Sequence, residues 1–245
     1  MVYFACADIH GHYQAFMKAI KESGYVAATP NHQLIVCGDM FGRAAQCKND
    51  IISIYQYLTS FEHANPPIVL RGNHEGILID IFKRGYCTEL DCRNGEDKTI
   101  AALADCMPFE TRTLGPVNDA GKNYPNFYEW LCNLPFYHET KNYVFVHGWI
   151  PRAADMQGFR EADEDEWYDA TWSHTEHQIA HMPENGYEKN LVFGHWGTYR
   201  LRKYSCWADD HSNFYDKQRK LIGLDNTTVF SHKMQIEIIY DEPIY

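Results

Sequence analysis

Five short apolar runs in this chain each stop and give way at once to Asp, Asn or His, residue types able to ligate a metal, and few folds can accommodate that pattern. The first is Tyr3-Phe4-Ala5-Cys6-Ala7, followed by Asp8-Ile9-His10-Gly11. The second, Gln33-Leu34-Ile35-Val36-Cys37, runs into Gly38-Asp39-Met40-Phe41-Gly42-Arg43. Ile68-Val69-Leu70 ends on Arg71-Gly72-Asn73-His74-Glu75, Tyr143-Val144-Phe145-Val146 on His147-Gly148-Trp149, and Leu191-Val192-Phe193 on Gly194-His195-Trp196. Runs of three to five apolar residues bounded by glycine and polar turns read as buried strands. Helical spacing follows the first three: Tyr13, Phe16, Met17 and Ile20, then Ile51, Ile54 and Leu58 in a stretch from about Cys47 to Phe61, then Ile77, Leu78, Ile81 and Phe82 to about Lys83. Strand, site and helix in repeated order predict βαβ winding, a largely parallel sheet, and chemistry gathered at the carboxyl ends of the strands. Asp8 and His10, two apart, would share one face if the strand continued through them.

Residues 85 to 140 differ in character, with Gly85, Asn94-Gly95 and Gly115-Pro116 punctuating them and helices expected near 98–106 and 125–133. The strand-and-site pattern resumes afterwards, so the whole of 1–245 is expected to form one domain, with 85–140 an insertion capping the site. The segment Glu161–Asp169 carries six acids and reads as a solvated face or loop. The tail, Leu221–Leu224, Thr227–Ser231 and Met234–Tyr240, reads as an antiparallel meander.

Composition narrows the function classes. A net charge of −11 opposes non-specific binding to nucleic acid or to an anionic membrane. There is no apolar run of 18 residues and no basic-then-apolar leader, and the eight cysteines include no C-x-x-C pair. A cytoplasmic protein with reduced thiols is the expectation.

Oxygen and imidazole donors without thiolate suit Mn, Fe or Zn. Asp8, His10, Asp39, Asn73, His74, His147 and His195 exceed what one tetrahedral ion needs, so two divalent ions sharing a carboxylate fit the count better. Arg43 and Arg71 stand beside these ligands, and guanidinium groups suit phosphate oxygens. Cations and arginines at one cluster point to hydrolysis of a phosphate ester or anhydride.

The ordered blocks Asp8-x-His10-Gly11, Gly38-Asp39-x-x-Gly42-Arg43, Gly72-Asn73-His74-Glu75, His147-Gly148 and Gly194-His195 resemble those of the calcineurin-like metallophosphoesterases. More narrowly they resemble the phosphoprotein phosphatase superfamily, which includes phage lambda-type protein phosphatases and symmetrical diadenosine tetraphosphatases. The resemblance implies an α/β fold, a sandwich of two mixed β-sheets flanked by helices. It implies that Asp8 and His10 bind the first metal, Asp39 bridges, Asn73, His147 and His195 bind the second, His74 is the general acid, and Arg43 and Arg71 hold phosphoryl oxygens. Its usual Gly-Asp-x-x-Asp-Arg-Gly block carries a second Asp that orients the catalytic histidine. Gly42 stands there, so His74 is expected to lack its partner. Where lambda-type enzymes have Trp-Ser-Arg this chain has Trp172-Ser173-His174, which makes His174 a candidate phosphate ligand beside the plainer reading of an exposed histidine. Trp149 is expected in the core rather than on the pocket wall. The implied substrate is a phosphorylated small molecule or phosphoprotein. The alternatives are a dinucleoside tetraphosphate and, from another class, a metal-binding module without turnover.

Overall fold

The apolar runs that end on ligating residues become strands of two facing sheets, four of them inner strands and Ile68–Val69 an edge strand. The computed structural model describes residues 1–43, 48–152, 158–202 and 210–244. In chain order its strands are β1 (Val2–Cys6), β2 (His32–Val36), β3 (Ile68–Val69), β4 (Tyr137–Glu139), β5 (Tyr143–Val146), β6 (Asn190–Phe193), β7 (Phe214–Asp216), β8 (Leu221–Gly223) and β9 (Glu237–Tyr240). Its helices are α1 (Tyr13–Ser23), α2 (Lys48–Leu58), α3 (Asn73–Arg84), α4 (Glu89–Asn94), α5 (Glu96–Ala104), α6 (Leu114–Asn123), α7 (Phe127–Cys132), α8 (Glu164–Thr171), α9 (Thr175–His181), α10 (Thr198–Leu201) and α11 (Thr228–Ser231).

The first sheet has the order β3-β2-β1-β9, the second β4-β5-β6-β8-β7. β1, β2 and β3 are parallel, as are β5, β6 and β8, while β9, β4 and β7 join antiparallel at the edges. Alternate residues explain why the runs are apolar throughout. Tyr3, Ala5, Ile35 and Leu70 face Phe145, Val192 and Leu224 of the other sheet. Their neighbours Phe4, Cys6, Leu34 and Val36 turn outward onto Phe16, Ile20 and Ile54 of the helices. Val144, Val146, Leu191 and Phe193 likewise cover Trp149, Phe159 and Trp167 on the far side. Both faces of each sheet are buried, and strands of that kind lose the polar alternation of a one-sided sheet. Trp149 is buried against Phe193 and Tyr187, as expected.

Segment 85–140 contains four helices. α5 and α7 are those expected, and their apolar residues Ile100, Leu103, Phe127 and Leu131 share one core with Phe16, Phe41 and Ile54. α4 starts at a capping box in which Thr88 accepts from the Asp91 backbone N–H. Pro116 lies in the first turn of α6, where a missing N–H goes unnoticed, so Gly115-Pro116 opens a helix rather than breaking the chain.

Two expectations need correction and a third is narrowed. The tail is not a meander: β8 lies parallel to β6, Thr228–Ser231 is a turn of helix, and β9 crosses to the other sheet beside β1. Thr227 and His232, both with left-handed φ, bracket that turn, and the Ser231 N–H donates to the Thr227 carbonyl. Of the two readings of residues 161–169, the solvated face holds, on a helix rather than a loop. Asp163 caps α8, which buries Trp167 and exposes its acids. β1 ends at Cys6, so Asp8 and His10 do not share a strand face. Of the cysteines, Cys6, Cys37, Cys87, Cys92, Cys106 and Cys132 are free thiols, and Cys47 and Cys206 lie outside the described residues.

Candidate metal centre

Left-handed turns at the strand ends aim the ligating side chains inward. Asp8 (φ 58°), His10 (46°), Asp39 (54°), Arg43 (54°) and His195 (66°) all occupy the region that L-residues avoid. Such strain persists where the surroundings over-determine it, and a dense set of backbone bonds does so here. The His10 N–H donates to the Asp39 carbonyl at 3.0 Å, Gly11 to Met40 at 2.8 Å, and Asp8 to Gly38 at 3.1 Å. Glu75, fully buried on α3, accepts from the backbone N–H groups of Asp39 (2.8 Å), Met40 (2.9 Å) and Gly72 (2.9 Å). Gly72 is required beside it, since a Cβ there would come within 2.6 Å of the Asp39 nitrogen.

The side chains converge. His10 Nε2 lies 3.8 Å from Asp8 Oδ1 and 3.8 Å from Asp39 Oδ2, and His74 Nε2 is also 3.8 Å from Asp39 Oδ2. On the other side of Asp39, its Oδ1 is 3.3 Å from His147 Nε2, which is 2.9 Å from Asn73 Oδ1. Asp8 Oδ2 accepts from the backbone N–H of His195 at 2.8 Å, tying the two sheets together at the site. Two groups could each hold a cation, His10 with Asp39 and His74, and Asp39 with His147 and His195, and Asp39 belongs to both.

Electrostatics fit cations. Burial lowers His10 and His195 to about 3, leaving neutral imidazoles with lone pairs to give. Nδ1 of His10 bonds the Phe41 carbonyl at 2.9 Å and Nδ1 of His147 the Cys37 carbonyl at 2.8 Å, so Nε2 of each is turned toward the carboxylates. His147 is raised to about 10, because Asp39 at its other nitrogen outweighs burial. Asp8 is pushed well above the carboxylate range by burial and by Asp225, itself raised to about 6 by burial. Three buried acids repel one another unless positive charge sits between them. Divalent cations suit this donor set of carboxylate, amide and imidazole.

Every expected ligand, Asp8, His10, Asp39, Asn73, His147 and His195, therefore comes to one place. The phosphate-binding candidates divide. Arg43 lines the cavity above the cluster, with its Nε 3.2 Å from His74 Nε2. Arg71 instead directs its guanidinium to Glu164 (2.7 Å) and the Cys132 carbonyl (2.6 Å), over the Phe136 ring. His174 precedes α9 at its N-cap position without a side-chain capping bond, its ring set edge-on to Trp196 and outside the cavity lining.

His74 is not without a partner, contrary to expectation. Its Nδ1 bonds the Oε1 of Glu96, a fully buried residue at the start of α5. Burial works against a charged His74 ring, but Asp39 and Glu96 outweigh it and raise its pKa. The cavity, about 140 Å³, continues from the cluster to a wall of Trp196, Tyr199, Arg200 and Phe230. No residue of 85–140 is on that lining, and the segment reaches the site from behind through Glu96 and Thr99, whose hydroxyl accepts from the Gly42 N–H at 3.3 Å.

Sequence reasoning missed Glu96, Glu75, Asp225 and the aromatic wall. Asp225 had a signal, since Leu221–Leu224 is one more apolar run ending on a carboxylate. Glu96 had none: it follows an Asn-Gly turn in a segment with no site pattern.

Comparison with known proteins agrees with this geometry. The profile of the calcineurin-like phosphoesterase family matches residues 1–223. A search of curated proteins found no match. Among solved structures, a protein described as a diadenosine tetraphosphatase superposes with a TM-score of 0.53 at 14% identity, covering 100% of this chain and 94% of its own. A mutant of a cold-active protein tyrosine phosphatase gives 0.53 at 13% identity, over 97% of this chain and 74% of that one. A protein serine/threonine phosphatase from Saccharomyces cerevisiae gives 0.50 at 14%, over 100% and 81%. At these identities the superpositions speak for a shared fold, and the profile for the family. Two mixed sheets flanked by helices, strand-end donors and a profile spanning nearly the whole chain agree: this chain belongs to the calcineurin-like phosphoesterases.

Proposed function

We propose that this chain is a two-metal phosphatase that hydrolyses phosphomonoesters, with Asp8 and His10 on one cation, Asn73, His147 and His195 on the other, and Asp39 shared. The observation that carries the reading is the place of Asp39 in both candidate ligand groups, because a bridging carboxylate must have that position. Bound there, two divalent cations supply Lewis acidity toward phosphoryl oxygens and a water of lowered pKa.

The protein's own groups do the rest. Arg43, held in its left-handed turn on the cavity wall, pairs with phosphoryl oxygens and offsets charge gathering on them in the transition state. His74, when protonated, gives its Nε2 proton to the leaving oxygen, and Asp39 and Glu96, which outweigh burial and raise its pKa, favour that protonated form. Burial of Asp8, His10, Asp39, Asn73 and His147 to 5% exposure or less fixes the donors before substrate arrives. Arg71 joins the substrate only if it leaves Glu164.

One observation favours the second substrate. Trp196, Tyr199 and Phe230 line the cavity wall together with Arg200, and an aromatic wall beside a cation suits a nucleoside attached to further phosphates. A Mn²⁺-supplemented assay comparing p-nitrophenyl phosphate with diadenosine tetraphosphate, wild type beside Asp39→Ala and His74→Asn, decides the matter. Metal-dependent hydrolysis abolished by Asp39→Ala is the expected result, and the preferred substrate chooses between the readings. Turnover that survives Asp39→Ala unchanged overturns the two-metal mechanism. Metal uptake without turnover of either compound would make the chain a binding module.

A further inference from the structure

We propose that Glu96 is the positioning residue of His74: a carboxylate supplied by α5 into the space that Gly42, having no side chain, leaves beside the ring. The proposal rests on the reading of His74 as general acid. Four observations lead to it. Glu96 is fully buried, and its Oε1 is hydrogen-bonded to His74 Nδ1. Among the described residues its Oε2 has no hydrogen-bond partner and His74 is the side chain bonded to Oε1, so His74 gives this buried acid its orientation. An acid is rarely buried for packing alone, because removing a carboxyl from water is costly unless a specific partner compensates.

The third observation is complementarity. Gly42 has φ +77°, and a Cβ there would come within 2.6 Å of Glu96 Oε1 and would overlap His74 Nδ1 as well. Glycine at 42 and glutamate at 96 therefore fit together, and a side chain at 42 excludes the carboxylate from 96. Fourth, the two loops are joined: the Arg43 N–H donates to the Asn94 carbonyl at 2.5 Å, and Gly42 N–H to Thr99 Oγ1 at 3.3 Å. α5 is thus registered on the loop that carries Asp39 and Arg43.

The consequence is a fixed tautomer. With Nδ1–H donating to Glu96, the Nε2 lone pair faces the cavity, where it accepts from Arg43 Nε. Protonated at Nε2, the same ring in the same orientation delivers that proton to a leaving oxygen. Without the carboxylate the imidazole can rotate or take the other tautomer.

The test uses leaving-group dependence, which a merely structural role would not change. The Mn²⁺-loaded full chain is assayed on p-nitrophenyl phosphate, whose leaving group hardly needs protonation, and on an alkyl phosphomonoester, whose leaving group does. Glu96→Gln is expected to lower kcat on the alkyl ester about 30-fold and on p-nitrophenyl phosphate less than threefold, with metal content and melting temperature kept. Gly42→Asp is expected to be nearly inactive on both esters, because its Cβ would meet His74 Nδ1 as well as Glu96 Oε1. Equal losses on both esters in Glu96→Gln, or no loss, would overturn the proposal. His74→Asn assayed in parallel separates the two ideas. If it too shows no selective loss on the alkyl ester, the general-acid reading has failed, and the assignment of Glu96 fails with it for that reason rather than its own.

Discussion

The two flanks of the cavity are built by different means. On one, Asp8, His10, Asp39, His147 and His195 each follow a strand within a few residues and take their places from the local turn. On the other, His74 is oriented by a glutamate 22 positions later, and the outer wall comes from α10 and the α11 turn. The first flank is stiffened by backbone-to-backbone bonds between neighbouring strand ends. The second depends on separate helices keeping register with them. Removing a strand-end ligand should therefore abolish the metal chemistry outright, whereas changes on the helical flank should tune it.

The largest expected effect is Asp39→Asn. The side chain serves both candidate cation groups, so its loss removes ligands from two ions at once and several kcal/mol of transition-state stabilisation. Activity should fall by about four orders of magnitude, with metal content after dialysis, measured by atomic absorption, falling from two ions to one or fewer. Retention of both ions with half the activity would mean that the strand-end flank is not the metal cradle.

His74→Asn comes next. General acid catalysis is worth roughly 10²- to 10⁴-fold, so kcat on an alkyl phosphate should fall within that range while metal content stays at the wild-type value. A parallel loss of metal would place His74 among the ligands, as its nearness to His10 and Asp39 allows geometrically, and would erase the distinction between the flanks.

The two halves of the cradle belong to different sheets, and Asp241 ties those sheets together at a distance. It follows β9 and accepts from Thr140 Oγ1 (2.6 Å), the Asn142 N–H (2.8 Å) and Asn142 Nδ2 (2.6 Å) at the β4–β5 turn. Burial pushes its carboxyl up, but these bonds outweigh it and leave the pKa below the ordinary value. A depressed folded-state pKa contributes stability above the unfolded pKa, near 3.9, and that contribution is lost as pH falls through the folded value. Asp241→Ala should cost about 1–3 kcal/mol in urea unfolding at pH 7 and much less below pH 3, with kcat unchanged. A change in kcat would show that the sheets must be latched for the cradle to form.

The difference between the flanks also explains what the sequence disclosed. A strand end carries its own signature, an apolar run, a glycine and a donor, so Asp8, Asp39, Asn73, His147 and His195 could be placed from local pattern, as could the parallel order of β1 to β3. The pattern did not reveal that Asp8 and His10 leave the strand before they act, because alternation and a left-handed turn both bring their side chains together. Glu96 was invisible for a different reason. Its role exists only through a contact between α5 and α3, and no local spacing encodes the space beside Gly42. The tail failed similarly: Leu221–Gly223 and Glu237–Tyr240 look like hairpin partners, yet each finds a better-buried neighbour in a different sheet.

The smallest expected effect is at the wall. Arg200 is exposed, with its guanidinium 5.0 Å from the Trp196 ring centre, 5.4 Å from that of Tyr199, and its Nε bonded to the Tyr199 hydroxyl at 2.9 Å. Water screens a charge in that position, so its attraction for substrate should be worth only about 0.2–1 kcal/mol. Arg200→Ala should accordingly raise KM two- to fivefold and leave kcat within error, and the rise should shrink as salt increases. The size should follow substrate charge, being larger for diadenosine tetraphosphate than for p-nitrophenyl phosphate, because the dinucleotide brings more negative charge for a cation on the cavity wall to attract. A drop in kcat instead would move Arg200 from recognition into the reaction itself, and the helical flank would then do work that the strand ends and Arg43 are expected to do alone.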